Sequence, residues 1–134
     1  MAKLTIERAI ATGREMGHVF VATAGSKGMP HLTVAGQVAA TFGGETIVVT
    51  EWFCPDTVAN LRENENVSVV AWNPGTDEGY QMIGRVEETK EQAVIDGYSP
   101  DTEPASVPQI ERKLVIRVAR VLDFSQAPHT DEPE

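Results

Sequence analysis

A chain of 134 residues suits one domain, because a single core commonly serves roughly 100–200 residues. Its formal charge of −9 argues against a nucleic-acid partner, which needs clustered Lys and Arg, and equally against an anionic membrane surface. No run approaches the ~20 apolar residues of a membrane span, and Lys3, Glu7 and Arg8 stand where a signal peptide would be apolar. The acidity reads as a device for solubility. The single Cys54 precludes an internal disulfide and points to a reducing cytoplasm. His18, His31 and His129 lie far apart without ligand spacing, so no metal site is expected.

Along the chain, Thr5 is a candidate cap for a helix that turns Ile6, Ala9 and Ile10 toward a core and ends before His18, with Gly13 and Gly17 weakening it. His18 to Ala24 is a short β-branched and apolar run, stopped by Gly25-Ser26-Lys27-Gly28 and Pro30. The segment from His31 to Phe42 alternates. Leu32, Val34, Val38, Ala40 and Phe42 share one face, with His31, Thr33 and Gln37 on the other, which is the period of a half-buried strand. Gly43-Gly44 reads as a two-residue hairpin turn, and Thr46 to Thr50 as the returning strand.

Further on, Asp56 is a candidate N-cap for a compact helix over Thr57 to Asn64, with Val58 and Leu61 pointing one way. Val67 to Trp72 forms a strand closed by Asn73-Pro74-Gly75. In Gly79 to Glu87, Tyr80, Met82 and Val86 oppose Gln81, Ile83 and Arg85. A short helix is expected around Thr89 to Ile95, then an ordered loop over Gly97 to Pro108. Lys113 to Phe124 is the last strand. Residues 125–134 form an acidic, flexible tail beyond a domain spanning 1–124. Closely spaced antiparallel strands of this kind close into a barrel or pack as a sandwich.

Three stretches read together carry a family resemblance. They are Val19-Phe20-Val21-Ala22-Thr23-Ala24-Gly25 with Gly28-Met29-Pro30-His31, then Thr57 to Asn64 leading into Val67-Ser68-Val69-Val70, and then Gly79 to Gly84. In this order and spacing the chain resembles the pyridoxamine 5′-phosphate oxidase-related, FMN-binding split-barrel family over roughly residues 5 to 88. The resemblance implies a mainly β fold, a six-stranded antiparallel split β-barrel with short flanking helices. It also implies a homodimer with FMN in a groove at the subunit interface. The flavin ring would lie along Thr33 to Val38 and beside Val49 to Trp52, a stretch that includes Glu51. Backbone groups of Val34 and Ala35 and the side chain of Gln37 would meet its polar edge, and Thr50 and Thr57 the phosphate or ribityl chain. The phosphate would sit at the helix that starts near Asp56, where free N–H groups and the dipole favour an anion.

The sequence departs from the family pattern at one point. Relatives carry Lys or Arg at the position of Asp56 or Thr57, where it neutralises the phosphate. Two like charges ~4 Å apart repel by about 4 kcal/mol at an effective dielectric near 20. A helix dipole returns only about 0.3–1 kcal/mol in exposed settings. Either Asp56 turns back to cap its helix, or Arg62, Arg85 or a partner's basic residue supplies the charge, or the ligand differs from FMN. Deazaflavin and haem are the alternatives that the family's branches suggest, as is a non-catalytic binding protein. Pyridoxamine 5′-phosphate would require further basic residues that this acidic chain lacks, which argues against a vitamin B6 oxidase. Cys54 reads as an inert thiol, Trp52 and Phe53 as ring-stacking or core residues, His31 as a solvent-facing strand residue and Glu51 as a rim carboxylate.

Overall fold

A computed structural model describes residues 2–41, 43–52, 55–93 and 110–132. In chain order they form α1 (Ala2–Met16), β1 (Val19–Ala24), β2 (Pro30–Ala35), β3 (Gln37–Ala40), β4 (Thr46–Trp52), α2 (Pro55–Glu63), β5 (Asn66–Asn73), β6 (Glu78–Ala93) and β7 (Ile110–Asp123). The strands make one seven-stranded sheet in the order β2-β1-β5-β6-β7-β4-β3, each neighbouring pair antiparallel. The two end strands of that order, β2 and β3, are joined in the chain through Gly36. The sheet therefore curls until its ends meet across one residue. This is the expected mainly β split barrel, with seven strands in place of six because the strand from His31 to Phe42 breaks at Gly36.

That break also exchanges faces. His31, Thr33 and Ala35 stand opposite Thr23, Val21 and Val19 of β1, all three of which are buried, so these residues of β2 look inward. Beyond Gly36 the inward residue is Val38. Leu32 and Val34, expected on the same face as Val38, instead point outward and are 62% and 52% exposed. One uninterrupted alternation cannot describe a strand that changes sheet edge midway.

The core follows the alternation elsewhere. Val67, Val69 and Ala71 of β5, Tyr80 and Met82 of β6, and Leu114 and Ile116 of β7 are buried. Ile6, Ala9 and Ile10 of α1 cover one mouth of the barrel. Gly13 lets that helix approach closely, since a Cβ there would lie 2.8 Å from Val19 Cγ1 and 2.9 Å from Val38 Cγ1. The helix starts at Ala2, so Thr5 lies inside its first turns and is not the cap. Gly17, at φ 78°, ends it by donating its N–H to the Gly13 carbonyl.

Two further expectations change. Gly43 and Gly44 do adopt positive φ, but the hairpin closes between Thr41 and Thr46 and not directly around the two glycines. Thr89 to Ala93 continue β6, paired in register with Leu114 to Ile110, because ladder pairing outweighs their helical propensity. The rest of that expected helix, and the loop Gly97 to Pro108, lie outside the described residues.

Candidate functional site

Helix α2 begins with Pro55, a residue suited to the first helical position because its ring presets φ and its missing N–H is not needed there. Asp56 therefore sits within the first turn and is not the N-cap. Its charge favours the helix dipole from an exposed position. Polar ties hold α2 to the start of the barrel. Asn60 Nδ2 donates to Thr23 Oγ1 at 3.1 Å, and the Ser26 backbone N–H donates to Glu63 Oε2 at 2.7 Å. That N–H, with the Ser26 hydroxyl, holds the Glu63 carboxyl below its ordinary range. Val58 and Leu61 add apolar contact with the core.

The first turn of α2 meets the inward face of β2. His31 Nε2 lies 3.9 Å from Asp56 Oδ2, with the His31 side chain 30% exposed and that of Asp56 81%. His31 was expected to face solvent; it faces the helix, because its register opposite the buried Thr23 fixes the side on which it stands. Next to Asp56, Thr57 is fully buried, and its Oγ1 has no hydrogen-bond partner. An unmet buried hydroxyl costs about 1–3 kcal/mol, so it is a feature that a folded chain normally avoids.

The residues expected to form the site divide by face. Thr33 and Ala35 share the inward face of β2 with His31, whereas Val34 points outward. Gln37 of β3 is exposed and stands opposite Thr50 of β4, which is half-buried, so these two polar side chains are neighbours. Val49 and Ala35 have buried apolar side chains, so the polar groups they offer are those of the backbone. Glu51 and Trp52 close β4, while their side chains lie outside the described residues, as do Phe53 and Cys54. The structure thus places His31 beside the first turn of α2, which holds Thr57, sets Thr33 two residues along the same face of β2, and pairs Gln37 with Thr50 across the β3–β4 ladder.

The arginines expected to balance a phosphate are placed otherwise. Arg85 pairs with Glu65. Arg62 lines a hollow of about 360 Å³ with Leu61, Glu65 and Glu87, beside the second half of α2. Sequence reasoning missed His31 as the basic neighbour of Asp56, and the signal was its parity with Ala35, hidden by the outward apolar pair Leu32 and Val34. Among the described residues no helix is long and apolar enough to cross a membrane.

No curated protein sequence matches significantly. Solved structures share the fold. An FMN-binding protein from Syntrophomonas wolfei superimposes with a TM-score of 0.68 at 15% identity, covering 96% of this chain and 91% of its own. The haem storage protein HutZ from Vibrio cholerae does so with 0.53 at 11% identity, covering 85% and 90%. An F420 reductase gives 0.52 at 18% identity, covering 78% and 87%. At such identities the likeness speaks for the fold alone. The profile of the pyridoxamine 5′-phosphate oxidase family, however, matches residues 6–120, nearly the whole length of the barrel. The chain belongs to the pyridoxamine 5′-phosphate oxidase family.

Proposed function

We propose that this protein binds FMN as a homodimer in the cytoplasm and serves as a flavin-dependent oxidoreductase or electron carrier. The observation that carries the reading is the first turn of α2, where Thr57 keeps a fully buried hydroxyl without a partner in a chain of this family. A phosphate oxygen is an acceptor of the kind that hydroxyl lacks, and the free N–H groups of the same turn favour an anion. Thr33 and Gln37 supply polar side chains along β2 and β3 for the ring, and Thr50 of β4 one for the ribityl chain. The residues present therefore fit the group. Bound FMN would supply hydride or single-electron transfer, while the chain holds and orients it.

The dimer reading is supported by the outward face of the sheet. Cross-strand neighbours there are Phe20 with Val34 and Val70, Ala22 with Leu32 and Ser68, and Ser68 with Ile83. These mostly apolar side chains form a continuous patch at the β2 end of the sheet order, and an exposed apolar patch of this kind marks an interaction surface. A second copy of the chain meets it.

Asp56 favours a second reading, a ligand of the same groove without a dianionic phosphate, because its exposed carboxylate adds negative charge to the first turn. Titration of the purified protein with FMN and with riboflavin, followed by flavin fluorescence, separates the two. FMN binding at least about tenfold tighter than riboflavin is expected, the value of one good charge-assisted contact. Equal affinities would favour the second reading, and no uptake of either would remove the flavin assignment. The visible spectrum of the protein as purified then distinguishes deazaflavin from haem.

A further inference from the structure

We infer that His31 is the cationic partner of the ligand's phosphate when its imidazole is protonated, and that it offsets the Asp56 carboxylate beside it; the inference rests on the FMN reading and deepens it. The chain lacks a Lys or Arg at positions 56 and 57, where a permanent charge would meet an anion at α2. Arg85 is engaged with Glu65, and Arg62 lines a hollow beside the second half of the helix. His31 is the basic side chain beside the first turn, with Nε2 3.9 Å from Asp56 Oδ2. It is set there by β2 register, opposite the buried Thr23, and α2 is in turn tied to Thr23 through Asn60. The ring is thus positioned from the sheet and the anion-favouring turn from the helix, both fixed to one residue of β1.

The charges facing His31 can be named by element. On α2 it is Asp56, close by, while Glu63 at the opposite end of the helix is occupied by the Ser26 N–H. On β1 the facing residue is Thr23, which does not titrate. On β4 the side chain of Glu51 lies outside the described residues. With a neutral imidazole, the described part of the turn carries only the Asp56 carboxylate and repels a phosphate. With a protonated imidazole, the pair is neutral overall, and the free N–H groups of the turn can receive the anion beside it. Histidine gains its proton as pH falls through the neutral range, whereas a phosphate monoester loses charge over that same range. A preference for FMN that strengthens on acidification therefore has to come from the protein and not from the ligand.

The test is the ratio of riboflavin to FMN dissociation constants for the full chain between pH 8 and pH 6, measured by fluorescence titration. In the wild type the ratio should rise by about fivefold toward pH 6, the size of an exposed charge pair. His31→Gln should flatten that rise, and His31→Lys should hold a high ratio at pH 8 and pH 6 alike. Asp56→Asn should raise the ratio at every pH. A His31→Gln profile identical to wild type, with FMN still preferred, would overturn the role of His31 and leave the phosphate site standing. Equal FMN and riboflavin affinities at every pH would overturn the phosphate site itself. A purely structural histidine would change both affinities together and leave the ratio and its pH profile in place.

Discussion

β5 and β2 are strands of one sheet, separated only by β1, and they handle their side chains in opposite ways. β5 turns Val67, Val69 and Ala71 into the core and keeps its outward residues, Ser68 and Val70, half-buried. β2 turns His31 and Thr33 inward, with His31 beside α2, and leaves Leu32 and Val34 on the outside. A strand that only had to fold would do what β5 does, because burying an apolar side chain contributes roughly 1.5–3 kcal/mol and burying a polar one costs free energy unless it is paired. β2 forgoes that gain on both faces. Its arrangement becomes reasonable if each face meets something beyond the chain, with a ligand under α2 and a second subunit on the outside.

The largest expected effect tests that contrast with one substitution placed on each strand. Val69→Asp puts a carboxylate in a fully buried position and should abolish cooperative thermal unfolding, since its cost of about 3–5 kcal/mol is a large part of a small domain's stability. Val34→Asp, at 52% exposure, should leave secondary structure by circular dichroism unchanged and convert the proposed dimer to monomer by sedimentation. If Val34→Asp sediments as wild type does, the outward face of β2 is not the subunit interface. If it unfolds like Val69→Asp, the contrast between the strands fails altogether.

A smaller effect is expected on the inward side. Thr57→Val keeps the shape of the side chain and removes the unmet hydroxyl, so the ligand-free protein should gain about 1 kcal/mol of stability in a urea melt. If the hydroxyl serves a phosphate, the same variant should bind FMN more weakly while riboflavin binding is unchanged. Gain of stability together with loss of FMN preference would mark a group kept for function. A loss of stability would mean that the hydroxyl is satisfied within the protein, and the contrast between β2 and β5 would then rest on the outward face alone.

How far the fold could be read beforehand follows from the same two strands. Val67 to Trp72 and Gly79 to Glu87 lie within sheet whose inner side is uniform, so their alternation reports burial directly. The run from His31 to Phe42 serves two sheet edges, and its apolar parity reports an interface before Gly36 and the core after it. Residue pattern cannot separate those, because both are apolar. Thr89 to Ala93 is a related case, in which local propensity suggested a helix and pairing with β7, remote in sequence, made a strand. At the site, Thr33, Gln37, Thr50 and Thr57 were singled out through family resemblance alone. His31 was not, since its partner Asp56 is brought beside it only by the register of β2 against β1 and by the ties that seat α2.

The smallest expected effect concerns the far end of β5, where polar bonds and not a ligand secure the strand. Asp77, at φ 57° in the turn between β5 and β6, accepts the Trp72 indole N–H at 3.0 Å. It also accepts the backbone N–H groups of Gln126 at 2.7 Å and Ala127 at 2.9 Å. The segment after β7, expected to be a flexible tail, is thus irregular in backbone yet tied to this hairpin, and Phe124 meets Trp72 edge-on with ring centroids 6.2 Å apart. The two backbone N–H groups and the indole hold the Asp77 carboxyl below its ordinary range. A depressed carboxyl contributes stability above its unfolded value and loses that contribution as pH falls through and below it. Hydrogen exchange at the Gln126 and Ala127 amides should therefore show protection at neutral pH that weakens on acidification below the ordinary carboxylate range. Asp77→Ala should lose that protection at neutral pH, with the amides of Val69 and Met82 unaffected. If protection at Gln126 and Ala127 survives the substitution, the Phe124–Trp72 contact holds the tail, and this end of β5 is secured by apolar packing as its middle is.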